Sequence, residues 1–94
     1  MNLALYVRSN DLISAALNGE IDFEDLEIEL VAIIAELDLR HDALVERHVA
    51  GAILVLAEMD RGDRTKESVA DALRLLIEEA GKLDLVHSAS LSKR

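Results

Sequence analysis

The sequence predicts an all-α fold, an antiparallel four-helix bundle in which a long third helix is central and pairs with a second copy. Three observations lead there. Apolar residues recur every three or four positions through most of the chain. Helix-start and helix-stop residues divide it into four segments. There is no proline and only four glycines in 94 residues, which removes most of the turn vocabulary of a small β-domain.

The first helix lies within residues 2 to 17 and stops at Asn18-Gly19, a pair suited to a left-handed C-cap. The stretch "SND" at 9 to 11 could restart a helix and so break this segment. The second helix opens on Asp22 as N-cap, with Asp25 three residues on to complete an approximate capping box and Ile21 and Leu26 as a hydrophobic staple. Its core stripe is Phe23, Leu26, Leu30, Ile33, Ile34 and Leu37. Asp38 offers the next N-cap, and the third helix is expected from about Leu39 to Asp60, ending at Gly62. After "DRGDRT", Thr65 caps a fourth helix with core positions Val69, Ala72, Leu73, Leu76, Ile77 and Ala80, closed by Gly81. Residues 1–87 then form a single helical domain, and the polar stretch 88–94 is expected to be a flexible tail. The likeness of "LDLRH" at 37–41 to "LDLVH" at 83–87 is read as coincidence in a leucine-rich chain rather than as a duplicated hairpin.

The third helix is apolar on two sides. At about 100° per residue, Leu44, Val45, His48, Ala52, Val55 and Met59 share one face. Ala43, Ala50, Leu54 and Ala57 lie nearly opposite, with polar residues on the flanks. A helix apolar on two sides is buried on two sides. The seven-residue spacing of Ala43, Ala50 and Ala57 suits close approach of another helix, so these three and Leu54 are the expected dimer interface. Ile28, Val31 and Ala35 of the second helix repeat the hint, lying away from its main stripe.

Composition bounds the function. Half the chain is apolar (51%), enough for a core, yet Tyr6 and Phe23 are its whole aromatic content. Without cysteine, disulfides and thiolate metal sites are excluded. The longest apolar run, "VAGAILVLA" at 49–57, is about half of the roughly 20 residues that cross a bilayer. The N-terminus shows no export signal, so a cytoplasmic protein is expected.

The net charge of -9 is unevenly spread. From Ser9 to Leu39 the acids are Asp11, Glu20, Asp22, Glu24, Asp25, Glu27, Glu29, Glu36 and Asp38, without one Lys or Arg. Residues 40–94 are almost neutral, with ten acids and nine bases. Direct binding to nucleic acid or an anionic membrane is disfavoured, because phosphate contacts need clustered bases.

No catalytic constellation emerges, and no cofactor or metal is expected. His41 and His48 stand seven residues apart, about 10 Å along a helix, too far to share one ion. They read as partly buried histidines at a helix start and an interface, and His87 has no evident partner. Glu24-x-x-Glu27 is similar to the first half of the magnesium site of MazG-type nucleotide pyrophosphohydrolases. The E-x-x-D that should follow on the next helix is missing: Glu46 precedes Val49, and Glu58 precedes Arg61, at that spacing. The serines and Thr65 occupy caps, helix surface or tail, and the "RGD" at 61–63 reads as a turn.

The acidic segment remains. Asp22, Glu24 and Asp25 benefit from the positive end of the helix dipole, and Asp25, Glu29 and Glu36 are expected on a solvent face opposite Leu26, Leu30 and Ile33. An ordinary solvent face mixes signs, as the fourth helix does with Arg74–Glu78 and Glu78–Lys82 expected to pair. The second helix carries no base, and its carboxylates repel one another to no structural gain. The expectation is a small, acidic, non-enzymatic regulator or inhibitor. Glu20, Asp22, Glu24, Asp25, Glu27, Glu29 and Glu36 would engage a partner protein with a basic surface, a nucleic-acid-binding protein being one candidate. In size and charge it is similar to the compact acidic antagonists of phages and mobile elements, without a shared motif. The alternatives are an assembly subunit acting through homo-oligomerisation and, more distantly, a metal-dependent helical hydrolase built on Glu24 and Glu27.

Overall fold

A computed structural model describes residues 2–38 and 42–92, the last eleven of these by backbone alone. It is all-helical, with α1 at Leu3–Leu17, α2 at Phe23–Glu36, α3 at Ala43–Asp60 and α4 at Lys66–Ser92. Each helix packs on its neighbours in sequence, α4 returns to α1, and α1 touches α3 across the bundle, while among the described residues α2 and α4 approach at their N-termini, where Lys66 reaches over the Phe23 ring. Ile13, Leu26, Leu30, Ile33, Val45, Val49, Leu56, Val69 and Leu73 are the largest apolar side chains sealed inside.

The caps explain most boundaries. The Asn2 side chain accepts from Leu5 N at 3.1 Å to start α1, and Asp22 accepts from Asp25 N at 2.8 Å to start α2. Thr65 Oγ1 accepts from Ser68 N at 3.1 Å at the head of α4. The first and third helices both end with a glycine at positive φ, Gly19 at 79° and Gly62 at 82°. In each case the glycine and the residue after it donate back to the last turn: Gly19 N to Ala16 O and Glu20 N to Ala15 O, Gly62 N to Met59 O and Asp63 N to Glu58 O. Helix α1 is not broken at Ser9-Asn10-Asp11; the buried Ser9 hydroxyl donates to Tyr6 O at 2.7 Å within the helix instead of capping a new one.

Several boundaries differ from expectation. Helix α3 starts at Ala43, with Asp42 rather than Asp38 before it, and the Asp42 carboxylate makes no cap bond. It is buried and turned elsewhere: it accepts from Asn2 N at 2.6 Å and Asp38 N at 3.1 Å, tying the start of α1 to the α2–α3 connection. Residues 39–41, including His41, lie outside the described residues. Gly81 does not close α4, which continues to Ser92 through most of the stretch expected as tail. The longest helix is therefore the fourth, and α3 shares with α1 the position of touching every other helix.

The core face of α3 is also shifted. It is Val45, Val49, Ala52 and Leu56 that are buried, while Leu44, expected inside, is 69% exposed. The buried stripe is centred about 60° from the expected one that ran from Leu44 to Met59. Helix α4 keeps its stripe, with Val69, Leu73 and Ala80 buried and Ala72, Leu76 and Ile77 half-buried.

Candidate functional site

Helix α2 enters the bundle through Leu26, Leu30 and Ile33. The residues directly opposite, at about 100° per residue, are Glu24, Ile28, Val31 and Ala35, all exposed. Asp25, Glu29 and Glu36 therefore do not oppose the core stripe as expected; they occupy the flank toward α1. Half-buried Glu29 accepts from Arg8 of α1 at 3.4 Å. That ion pair is open to solvent and contributes at most about 1 kcal/mol. Asp25 and Glu36 are exposed on the same flank.

The opposite flank faces α3. Glu27 is half-buried against Asp60, the last residue of α3, and does not share the solvent face of the other acids. Its carboxyl is raised above the usual range, first by burial, then by the hydrogen bond and charge of Asp60, and last by the charge of Glu24. The outward surface of α2 is thus an apolar stripe bordered by acids on the α1 side, with Glu24 at its N-terminal end.

Glu20 and Asp22 are exposed in the turn before α2. With Asp25 they line a shallow recess of about 370 Å³ whose floor includes Ala16, Ile21 and Phe23. One base borders it: Lys66, at the head of α4, with Nζ 5.9 Å from the centre of the Phe23 ring. The seven acids expected to act together consequently divide. Glu20, Asp22, Glu24, Asp25 and Glu36 face solvent, Glu29 is partly answered by Arg8, and Glu27 is turned to Asp60.

The expected dimer face lies on the back of α3. Ala43 is exposed, Leu54 is 56% exposed, and Ala50 and Ala57 are half-buried. The sequence reading missed the polar cluster on the other side of this helix. Half-buried His48 hydrogen-bonds Asn10 Oδ1 at 2.7 Å and sets its ring 5.2 Å from that of buried Tyr6. Burial lowers the His48 pKa, and the charge of Glu79 opposes that shift. The signal was available, since Tyr6 and Asn10 share a face of α1 at four-residue spacing.

On α4, Arg74 pairs with Asp71 at 2.8 Å rather than with Glu78, and the Lys82 side chain is outside the described residues. Arg64, half-buried, bridges Glu58 at 3.2 Å and Ser68 at 3.1 Å, holding the α3–α4 turn together. Among the described residues no group of three or more His, Asp or Glu side chains is placed to hold a metal ion, and no helix is long and apolar enough to cross a membrane.

Comparison with known protein families, curated proteins and solved structures finds no match for the chain.

Proposed function

We propose that this chain is a small non-enzymatic regulator or inhibitor that acts by binding a partner protein with a basic surface, through α2 and the turn before it. One observation supports the reading above others. Glu20, Asp22, Glu24, Asp25 and Glu36 stand in solvent on or beside a helix without a base, and the ion pair made by the acids of α2 among the described residues is Arg8–Glu29. Uncompensated surface charge speeds association with oppositely charged partners and selects among them. A nucleic-acid-binding protein offers such a basic surface, and a cytoplasmic setting goes with the reading. The helices run antiparallel in this proposal, which leaves the acidic turn at one end of the bundle.

The test is capture on the immobilised chain at low and high salt, followed by rebinding of the purified captured protein. Retention that weakens with salt and is lost when Glu24, Asp25 and Glu36 become Gln, Asn and Gln supports the reading. A captured partner indifferent to those substitutions ends it.

A second reading, an assembly subunit, is favoured by the exposure of Leu54 and Ala43 on the back of α3. It expects a homodimer through Ala43, Ala50, Leu54 and Ala57, insensitive to salt and broken by Ala50→Leu. Sedimentation of the two proteins decides it.

A further inference from the structure

We infer that the outward face of α2 is a docking site for an amphipathic helix with a basic border, an inference that rests on the function proposed above and names the form of its partner. Charge alone does not account for this surface. Ile28 is 62% and Val31 52% exposed, and Ala32 and Ala35 extend the apolar surface along the helix. These residues take i, i+3, i+4 and i+7 positions, the pattern with which one helix meets another. From Ile28 to Ala35 the stripe is about 10 Å long, two helical turns. The alanines let a second backbone come close, within the 8–10 Å between axes that packed helices adopt.

The border selects the occupant. Asp25, Glu29 and Glu36 line the edge toward α1, with Glu29 in part answered by Arg8, and Glu24 stands at the N-terminal end. A complementary helix therefore carries apolar residues on one face and Lys or Arg along the side that meets Asp25 and Glu36. A second copy docking by the same face would set acidic border against acidic border, with no base on either α2 to relieve them. An anionic membrane surface meets the same repulsion.

The probes are two synthetic peptides of about 18 residues, five helical turns, both composed of Leu, Ala and Lys in identical amounts. In one the leucines fall at i, i+3, i+4 and i+7; in the other they are dispersed. The full chain is titrated with each at low and high salt, followed by NMR and circular dichroism. The patterned peptide is expected to bind at least about tenfold tighter, a difference of about 1.4 kcal/mol, to become helical on binding, and to shift the α2 resonances. In the variant Ile28→Gln/Val31→Gln that advantage disappears while a weak, salt-sensitive attraction for both peptides stays. Leu75→Gln, an equally exposed leucine on α4, changes nothing.

Equal binding of the two peptides, unaffected by Ile28→Gln/Val31→Gln, overturns the helix site and leaves the acidic reading standing. A dimer that this double variant dissociates overturns it in favour of a second copy. Absence of binding by either peptide at low salt removes both the site and the function on which it rests.

Discussion

Helices α2 and α4 occupy equivalent places, each packed along α1 and α3, with Lys66 over the Phe23 ring where their N-termini approach. Inward they are alike: Leu26, Leu30 and Ile33 on one, Val69, Leu73 and Ala80 on the other, all buried. Outward they differ. The surface of α4 mixes Lys66, Glu67, Asp71, Arg74 and Glu78 around exposed Leu75, and Arg74 closes on Asp71 at 2.8 Å. The surface of α2 has acids and apolar residues and no base. Packing dictates the shared half of each helix, since burial is roughly proportional to apolar area removed from water. It does not dictate the other half. The outward face of α2 departs from what a solvated helix needs, and on that departure the proposed function rests.

The largest expected effects test the shared half. Leu30→Ala and Leu73→Ala each remove a buried leucine side chain and should cost about 2–5 kcal/mol in urea unfolding. Ile28→Gln and Leu75→Gln, both on exposed positions, should stay within about 0.5 kcal/mol. If Ile28→Gln destabilised the chain as much as Leu30→Ala does, the outward face of α2 would already be covered in solution, and the contrast with α4 would have to be redrawn around an oligomer.

Next in size is Asp42. Its buried carboxylate accepts from the backbone of Asn2 and Asp38, so Asp42→Ala leaves two amides without that acceptor and should cost about 1–3 kcal/mol. Asp42→Asn, which keeps an acceptor oxygen, should cost less. Amide exchange at Asn2 and Asp38 is the specific readout: both should exchange faster in Asp42→Ala, whereas general loosening would speed the bundle throughout. This contact holds the entry to α1 against the exit from α2 and has no counterpart on the α4 side among the described residues.

Asp42 also marks where the sequence stops being legible. Capping chemistry is local, so Asp22, Thr65, Asn18-Gly19 and Gly62 could be assigned from neighbours alone. The same logic pointed to Asp38 as the cap of α3, but the residue before the helix is Asp42, whose carboxylate caps nothing and instead accepts from Asn2 N, forty residues away, in a contact that no local rule reveals. The core of α3 was misplaced for a related reason. Apolar residues cover most of its circumference, so a wheel alone cannot say which side faces in, and the packing of α2 and α4 selects Val49 and Leu56 over Leu44. The acidity of α2 was visible in composition. Its division was not, because Glu27 and Glu29 turn toward different helices, one to Asp60 and one to Arg8. Gly81 looked like a stop because glycine commonly ends helices, but no positive φ is adopted there and α4 passes through it.

The smallest effects sharpen the comparison at the seams with α3, where each lateral helix contributes one acid. Glu27 of α2 lies against another acid, Asp60, and its pKa is raised above the ordinary 4.5. The folded state then holds a proton that the unfolded chain has lost, so ionisation near neutral pH costs stability, recovered as pH falls through the folded-state pKa toward 4.5. Glu27→Gln should therefore stabilise the chain at pH 7 to 8, with the gain shrinking to nothing near pH 4.5. Glu79 of α4 acts in the opposite sense, because the group it influences is His48, whose pKa burial holds below the ordinary 6.5. The unfolded chain takes up that proton first, and stability contributed by neutral His48 is complete above about pH 6.5 and declines as pH drops below it. Glu79→Gln removes the charge that moderates the decline, so the loss between pH 6.5 and 5 should steepen, whereas His48→Gln should flatten it. Urea midpoints measured from pH 8 to 5 separate the two seams by the sign of the shift: Glu27→Gln should lie above the parent chain at pH 7 to 8 and Glu79→Gln below it between pH 6.5 and 5. Shifts of the same sign would mean that the acids of α2 and α4 act on α3 alike, and the asymmetry between the two helices would then be confined to their outward faces.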